Sequence, residues 1–397
     1  MRKEERMKLS KRVTVIEPSL TRELYNKAQG YTDVIDLTLG DPDLKPSEVI
    51  RNAACEAVQT GKTRYSANAG LLDLRKTISK QIEKEYKVSV DPYAEITTTV
   101  GGMEALYLAL ATIIDEGDEV IIPAPYYVNY VQMVRMCGGI PVIINTKEED
   151  NFSISIEQIS EHISEKTVAI IINTPSNPTG QVLADNLLSE LAEIVKEKKL
   201  IVIADEVYSS LIYDGKQHYS IFNKSGMRDH VILVDSISKR FAMTGYRLGY
   251  AVGPKEIIGG MTTMQENVAA CAPLPSQYAG IAAYSLCYDD KSIHDIFEER
   301  RNYIYKAINS IEGLHANKPA ATFYLFVNIS STGMDSLSFA EKLLTSVHVA
   351  VAPGITYGKD YDNFIRIAFT LDVSKLKEAV LRIQHFMEEL NNSSNVK

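Results

Sequence analysis

The chain of 397 residues contains no tryptophan and only four cysteines, Cys55, Cys137, Cys271 and Cys287. None of the four forms a Cys-x-x-Cys pair, which argues against a zinc ribbon or a disulfide framework. The seven histidines are scattered and no His-Glu-x-x-His occurs, so no metal site is expected. No 18-residue apolar stretch is present, so no membrane span is expected. The first twelve residues are charged and lack the apolar segment of a secretory signal, which makes the cytoplasm the expected location. Basic residues are also in deficit. Lys plus Arg is 42 against 51 for Asp plus Glu, a formal charge of −9. That balance disfavours nucleic acid or an anionic membrane as a bulk partner. No internal repeat or low-complexity segment is visible.

What remains is an ordinary globular composition, 45% apolar and 23% charged, long enough for two or three domains around a large core. The middle of the chain alternates strand-like and helix-like segments. Strands are expected at 95–100, 119–122, 140–144, 168–172, 200–204 and 231–234. Helices are expected at 103–114, 126–136 and 185–199, the last with apolar residues at helical spacing. The continuous apolar runs suit strands covered on both faces, as in a mostly parallel α/β sheet flanked by helices. After about residue 286 the pattern becomes α+β, with helices at 293–311 and 374–390 and strands at 323–329 and 364–369. The expected division is an N-terminal arm and helix over 1–46, a large domain over 47–286 and a smaller α+β domain over 287–397.

Four groups carry chemistry, each at the expected end of a strand. Gly101-Gly102 follows a strand and opens a helix, where backbone N–H groups can face a phosphate. Pro175-Ser176-Asn177-Pro178-Thr179-Gly180 fixes an asparagine amide where α/β sheets place ligands. Asp205 ends a buried strand, where an unpaired carboxylate is costly and calls for a cation. Ser236-Ile237-Ser238-Lys239 offers an amine and two hydroxyls, and Arg247 follows in Met243-Thr244-Gly245-Tyr246-Arg247. Alone, each is as readily a turn, a cap or a solvated lysine. Together they fit one molecule that needs an amine for an aldehyde, an acid for a ring nitrogen and an anion site for a phosphate.

With these residues in order, the chain resembles the fold-type I pyridoxal-phosphate enzymes, and within them the class I aminotransferases related to aspartate and aromatic aminotransferases. The resemblance covers about residues 35–381. It implies that Lys239 carries pyridoxal 5'-phosphate as an internal aldimine and shuttles a proton. It implies that Asp205 keeps the ring nitrogen protonated, that Asn177 and Tyr208 hydrogen-bond the phenolic oxygen, and that Tyr127 stacks on the ring. Gly101, Gly102, Met103, Ser236, Ser238 and Arg247 would bind the phosphate, joined by Tyr65 from the neighbouring subunit of a homodimer. Arg366, in Phe364-Ile365-Arg366, would clamp the substrate α-carboxylate, with Gly40 and Asn177 completing that site. The expected activity is transfer of an amino group from an L-amino acid, neutral, aromatic or aspartate, to a 2-oxo acid.

The sequence departs from relatives selective for acidic substrates at Met103, where they carry a lysine. No arginine is in an obvious place to replace it, so neutral or aromatic donors are expected to outrun aspartate. A carbon–sulfur β-lyase with the same cofactor is the alternative. A penicillin-binding serine enzyme would share Ser236-x-x-Lys239 but needs a Lys-Thr-Gly, which is missing. A P-loop ending at Gly61-Lys62-Thr63 would need glycine where Glu56 stands. An effector domain of a transcription factor would need a DNA-binding extension, for which about 30 preceding residues leave no room.

Overall fold

The computed structural model describes residues 9–394. Strand β1 (Ile35–Asp36) stands apart from the main sheet. That sheet contains β2 (Ile96–Thr99), β3 (Glu119–Ala124), β4 (Ile140–Asn145), β5 (Thr167–Asn173), β6 (Ile201–Asp205), β7 (Val231–Ser236) and β8 (Gly249–Val252). Their order is β2-β8-β7-β6-β5-β3-β4. Neighbouring strands from β3 to β7 pair in parallel, while β8 is antiparallel to both β2 and β7.

The apolar runs explain this layering. Successive strand side chains point to opposite faces, and here both faces are dry. Ile170, Ile172, Val202 and Leu233 enter one core, with Leu74, Ile78, Leu188 and Leu191 from the helices on that side. Their neighbours Ala169, Ile171, Ile203 and Ile232 enter the opposite core, against Leu108, Ala109, Val131 and Ile258. Fully burying one such aliphatic side chain is worth about 1.5–3 kcal/mol. A one-residue register slip would exchange all the side chains between the two cores.

The remaining strands are β9 (His315–Ala316), β10 (Tyr324–Asn328), β11 (Val349–Ala350), β12 (Ala352–Pro353) and β13 (Phe364–Ala368). An antiparallel sheet runs β12-β13-β10-β9, and β1 pairs in parallel with β11. Leu24 and Ala28, from helix Leu20–Ala28, join Leu37, Phe297, Leu325, Phe339, Ile367 and Ile383 in a third core. Tyr208, Leu211 and Tyr213, just beyond β6, also belong to it.

Two expectations shift. Between residues 9 and 28, the described part of the N-terminal segment, two helices form, Lys11–Thr14 and Leu20–Ala28, rather than one. The helix expected from 126 forms over Asn129–Met136, after the turn at Pro125. Strand β8 was not expected, because Gly249 and Gly253 at its ends read as loop residues. Among the described residues no helix is long and apolar enough to cross a membrane.

Candidate active site

The strands end on a cavity of about 640 Å³. Asn173, Asp205 and Ser236 come to it from the carboxyl ends of β5, β6 and β7. Gly102 and Met103 come from the helix after β2, Tyr127 from the turn after β3, and Arg366 from β13. Ser19, Thr21 and Arg22 line it from the start of helix Leu20–Ala28.

Lys239 sits in the short helix Ile237–Arg240 that follows β7. Its Nζ donates to the Gly40 carbonyl at 2.7 Å and lies 5.4 Å from the centre of the Phe323 ring. Burial lowers its pKa to about 8; Asp41 opposes the shift, and Arg366 and Arg247 add to it. An amine in this state is a usable nucleophile near neutrality.

Asp205 accepts from the Tyr130 hydroxyl at 2.5 Å, and its main-chain carbonyl accepts from Asn173 Nδ2 at 3.0 Å. Burial raises its pKa to about 6, while the Tyr130 hydrogen bond opposes that. The carboxylate is thus largely ionised at neutral pH and buried, with no ion-pair partner among the described residues, a state that favours an incoming cation.

Arg366 is 5% exposed. Its Nη1 donates to Asn177 Oδ1 at 3.0 Å, and Nη2 donates to the Thr38 carbonyl. Its Nε is buried with no hydrogen-bond partner. The guanidinium faces the rings of Tyr324 and Tyr357, at 4.2 and 5.2 Å from their centres. No carboxylate pairs with it among the described residues, so the site calls for an anion from outside the chain. Tyr208 and Tyr324 share a hydrogen bond between their hydroxyls at 3.0 Å.

On the opposite side Gly101 takes φ of +78°, and a Cβ there would come within 2.4 Å of Arg247 Nη2. The glycine therefore admits the guanidinium against the backbone turn. Arg247 is held by the carbonyls of Thr244 and Val100, at 2.9 and 3.5 Å. Ser236 caps the short helix, accepting from the Ser238 N–H at 3.4 Å. The Ser236 and Ser238 side chains both line the cavity.

Met103 Sδ accepts from Tyr127 Oη at 3.2 Å and from Asn129 Nδ2 at 3.4 Å. Burial pushes the Tyr127 phenol up to about 12, so this wall is neutral. Tyr65 does not line the cavity of its own chain; it is 86% exposed. The structure thus gathers Gly40, Gly102, Met103, Tyr127, Asn177, Asp205, Tyr208, Ser236, Ser238, Lys239, Arg247 and Arg366 around one space, with Gly101 directly behind Arg247.

Sequence reasoning missed the roles of Tyr130, Asn173, Tyr324, Tyr357 and Arg22 here. Tyr130 lies with Tyr126 and Tyr127 in a stretch of helical pattern, where tyrosines usually pack in cores. Nothing in the local pattern marks it as the partner of an aspartate 75 residues away.

Four cations, Arg22, Lys239, Arg247 and Arg366, face this cavity against two carboxylates, Asp41 and Asp205. An aldehyde that also carries a phosphate and a basic ring nitrogen answers the depressed amine, the cradled guanidinium and the buried acid together. The residues present fit pyridoxal 5'-phosphate, and the fold and site define a pyridoxal-phosphate enzyme. The family model for aminotransferase class I and II matches residues 32–383, and the chain belongs to that family. It is 38% identical to the aspartate aminotransferase of Pyrococcus abyssi, over 96% of this chain and 99% of that one. It is 36% identical to aromatic-amino-acid aminotransferase 2 of Thermococcus litoralis, over 96% and 99%. The solved aromatic aminotransferase of Pyrococcus horikoshii superposes with a TM-score of 0.86 at 38% identity, covering 92% of this chain and 99% of that one. The protein is a pyridoxal-phosphate-dependent transaminase acting on amino acids and 2-oxo acids, and nothing favours the β-lyase alternative.

Proposed function

We propose that the protein takes its amino group from aromatic or other neutral L-amino acids in preference to aspartate, and passes it to a 2-oxo acid such as 2-oxoglutarate. The observation that carries this is the neutral wall, where Met103 Sδ is engaged by Tyr127 and Asn129 and no cation contacts it among the described residues. A thioether and a phenol pack against a ring but leave a second carboxylate unpaired, which is costly once water is excluded.

When bound, pyridoxal phosphate supplies an aldehyde carbon for an amine and a ring that takes up the electron pair released at Cα. Lys239 is the residue that would hold the group through that carbon, and its freed amine would serve as the base that moves the Cα proton of the substrate. Asp205 would hold the proton on the ring nitrogen, its carboxylate oriented by the Tyr130 hydroxyl. Tyr127 would pack against the ring, and Asn177 and Tyr208 would supply hydrogen bonds to its phenolic oxygen. Arg247, Ser236, Ser238 and the N–H groups after Gly101 and Gly102, Met103 among them, bind the phosphate. Arg366 turns its fork to the α-carboxylate, with Gly40 and Asn177 beside it.

The chain acts as a homodimer in which Tyr65 reaches the partner's phosphate site, and its four free cysteines suit the reducing cytoplasm. The separate cores support domain limits at 1–46, 47–286 and 287–397. The test of the donor reading is kcat/KM for phenylalanine, tyrosine and aspartate in the first half-reaction, followed by the cofactor's absorbance. Aromatic donors should lead; a strong preference for aspartate would show that the Met103 wall does not set the choice.

A further inference from the structure

The segment over 38–43 meets the site at two points. Its Gly40 carbonyl accepts from Lys239 Nζ, and its Thr38 carbonyl accepts from Arg366 Nη2. Asp41 of the same segment lines the cavity, and its carboxylate accepts from Thr244 Oγ1 at 2.5 Å. The segment lies flush on its neighbours, since a Cβ on Gly40 would come within 1.8 Å of the Tyr324 hydroxyl oxygen. No helix or strand spans it, so its place depends on anchors. Arg300, in helix Ser292–Asn309, supplies one at the far end. This arginine is 4% exposed and does not line the cavity. Its Nη1 and Nη2 donate to the two carboxylate oxygens of Asp43 at 2.8 and 3.2 Å. Nη1 also donates to the Thr370 carbonyl, just beyond β13, at 2.6 Å, and the Asp43 N–H donates to that same carbonyl at 3.2 Å. One guanidinium therefore ties the segment to the strand that carries Arg366.

We propose that Arg300 is a positioning residue: through Asp43 it fixes where the segment over 38–43 presents Gly40 and Asp41 to Lys239, and Thr38 to Arg366. A planar fork suits that role, because two parallel hydrogen bonds set an orientation where a point charge sets only a distance. The Asp43 side chain is 28% exposed. It can be hydrated once Arg300 is replaced, so the fold is not left with a buried, unpaired acid. What is lost is the alignment of the amine with the carboxylate clamp, and a misplacement of about 1 Å can cost about 100-fold in rate. The phosphate side of the cavity is built from other elements, on Arg247, Ser236 and the glycine turn. The consequence for substrates rests on the reading of Arg366 as the α-carboxylate site; the consequence for Lys239 does not.

The test compares wild type with Arg300→Met, which keeps the apolar stem, and with Arg300→Lys and Asp43→Asn. In the apoenzymes, the pH dependence of Lys239 acetylation should move to lower pH in Arg300→Met, because the Gly40 carbonyl and Asp41 both favour the ammonium. In the holoenzymes, inhibition by 3-phenylpropanoate, a carboxylate without an amino group, should weaken roughly tenfold, and kcat/KM should fall at least as far for amino acids and 2-oxo acids alike. Arg300→Lys and Asp43→Asn should lie between Arg300→Met and wild type. Binding of pyridoxamine 5'-phosphate, which needs no lysine, should stay near the wild-type value. A lower Tm with the labelling curve and the inhibition as in wild type would make Arg300 a support of the fold alone and overturn the proposal. An equal loss of pyridoxamine phosphate and inhibitor binding would overturn it as well. If Arg300→Met does not fold, Asp43→Asn decides, and an unchanged labelling curve there overturns the anchor. A shifted labelling curve with unchanged inhibition supports the anchor and instead sinks the reading of Arg366 as the carboxylate site.

Discussion

Lys239 is reactive because of what surrounds its amine. Burial disfavours the ammonium, Arg366 and Arg247 repel it, and Asp41, followed by Asp205, pulls the other way. The neutral amine therefore prevails above about pH 8 instead of only above the ordinary lysine range. In the apoenzyme, trace labelling of Lys239 by acetic anhydride, quantified by peptide mapping, should rise with pH and level off just above that value. Asp41→Asn removes the larger of the two carboxylate attractions that raise the pKa, so its labelling curve should move to lower pH. A wild-type curve still climbing where free lysine titrates would show that the pocket does not depress the amine. The sequence located this lysine because its neighbours are unusual for a surface residue. It could not locate Tyr130 or Arg22. The Tyr130 hydroxyl meets Asp205 only through the packing of helix Asn129–Met136 on the sheet, and Arg22 reaches the rim only because its helix packs with the third core.

At the scale of elements, the phosphate cradle depends on a strand that sequence patterning overlooked. Gly249 opens β8 and lies opposite both Thr99 of β2 and Ser236 of β7. A Cβ there would come within 2.5 Å of the Gly101 carbonyl carbon and the Gly102 nitrogen. These are backbone atoms with no rotamer to yield, so the turn itself would shift. Gly249→Ala should cost about 1–3 kcal/mol of stability through overpacking, and the displaced turn should weaken cofactor affinity beyond that. Thermal unfolding of the apoenzyme and equilibrium dialysis of the cofactor measure the two separately. Affinity equal to wild type would mean that the close packing of β8 on the turn does not shape the cradle. The parallel strands β5, β6 and β7 were legible because burial on both faces demands unbroken apolar runs. Strand β8 is four residues long and bounded by glycines, which locally resembles a loop. Its identity as a strand comes from inserting between β2 and β7, a long-range event.

At the scale of the whole molecule, one residue of the proposed site lies away from the cavity of its own chain. Tyr65 is exposed, and the cavity of its own chain is lined without it. Val49, Val58, Val268 and Leu286 are also exposed, each at 47% or more, alongside Leu9 and Val13 near the start of the described chain. Scattered exposed apolar residues are common, but an exposed tyrosine with a functional expectation calls for a surface to meet. The proposed two-fold dimer would provide that surface, because each subunit presents the same face and Tyr65 of each could reach the other's site. The arrangement has a definite consequence in mixed dimers. Tyr65→Ala and Lys239→Ala chains, each nearly inactive as homodimers if Tyr65 contributes, should form heterodimers in which one site is wholly native and the other carries both defects. Mixing after reversible dissociation should therefore restore activity up to that single native site, with cofactor bound tightly at one site per heterodimer. If Tyr65 acted within its own chain, each heterodimer site would keep one defect and no activity would return. Sedimentation of the mixture, tagged differently on the two chains, confirms that heterodimers formed. Heterodimers that form and stay inactive would confine Tyr65 to its own subunit.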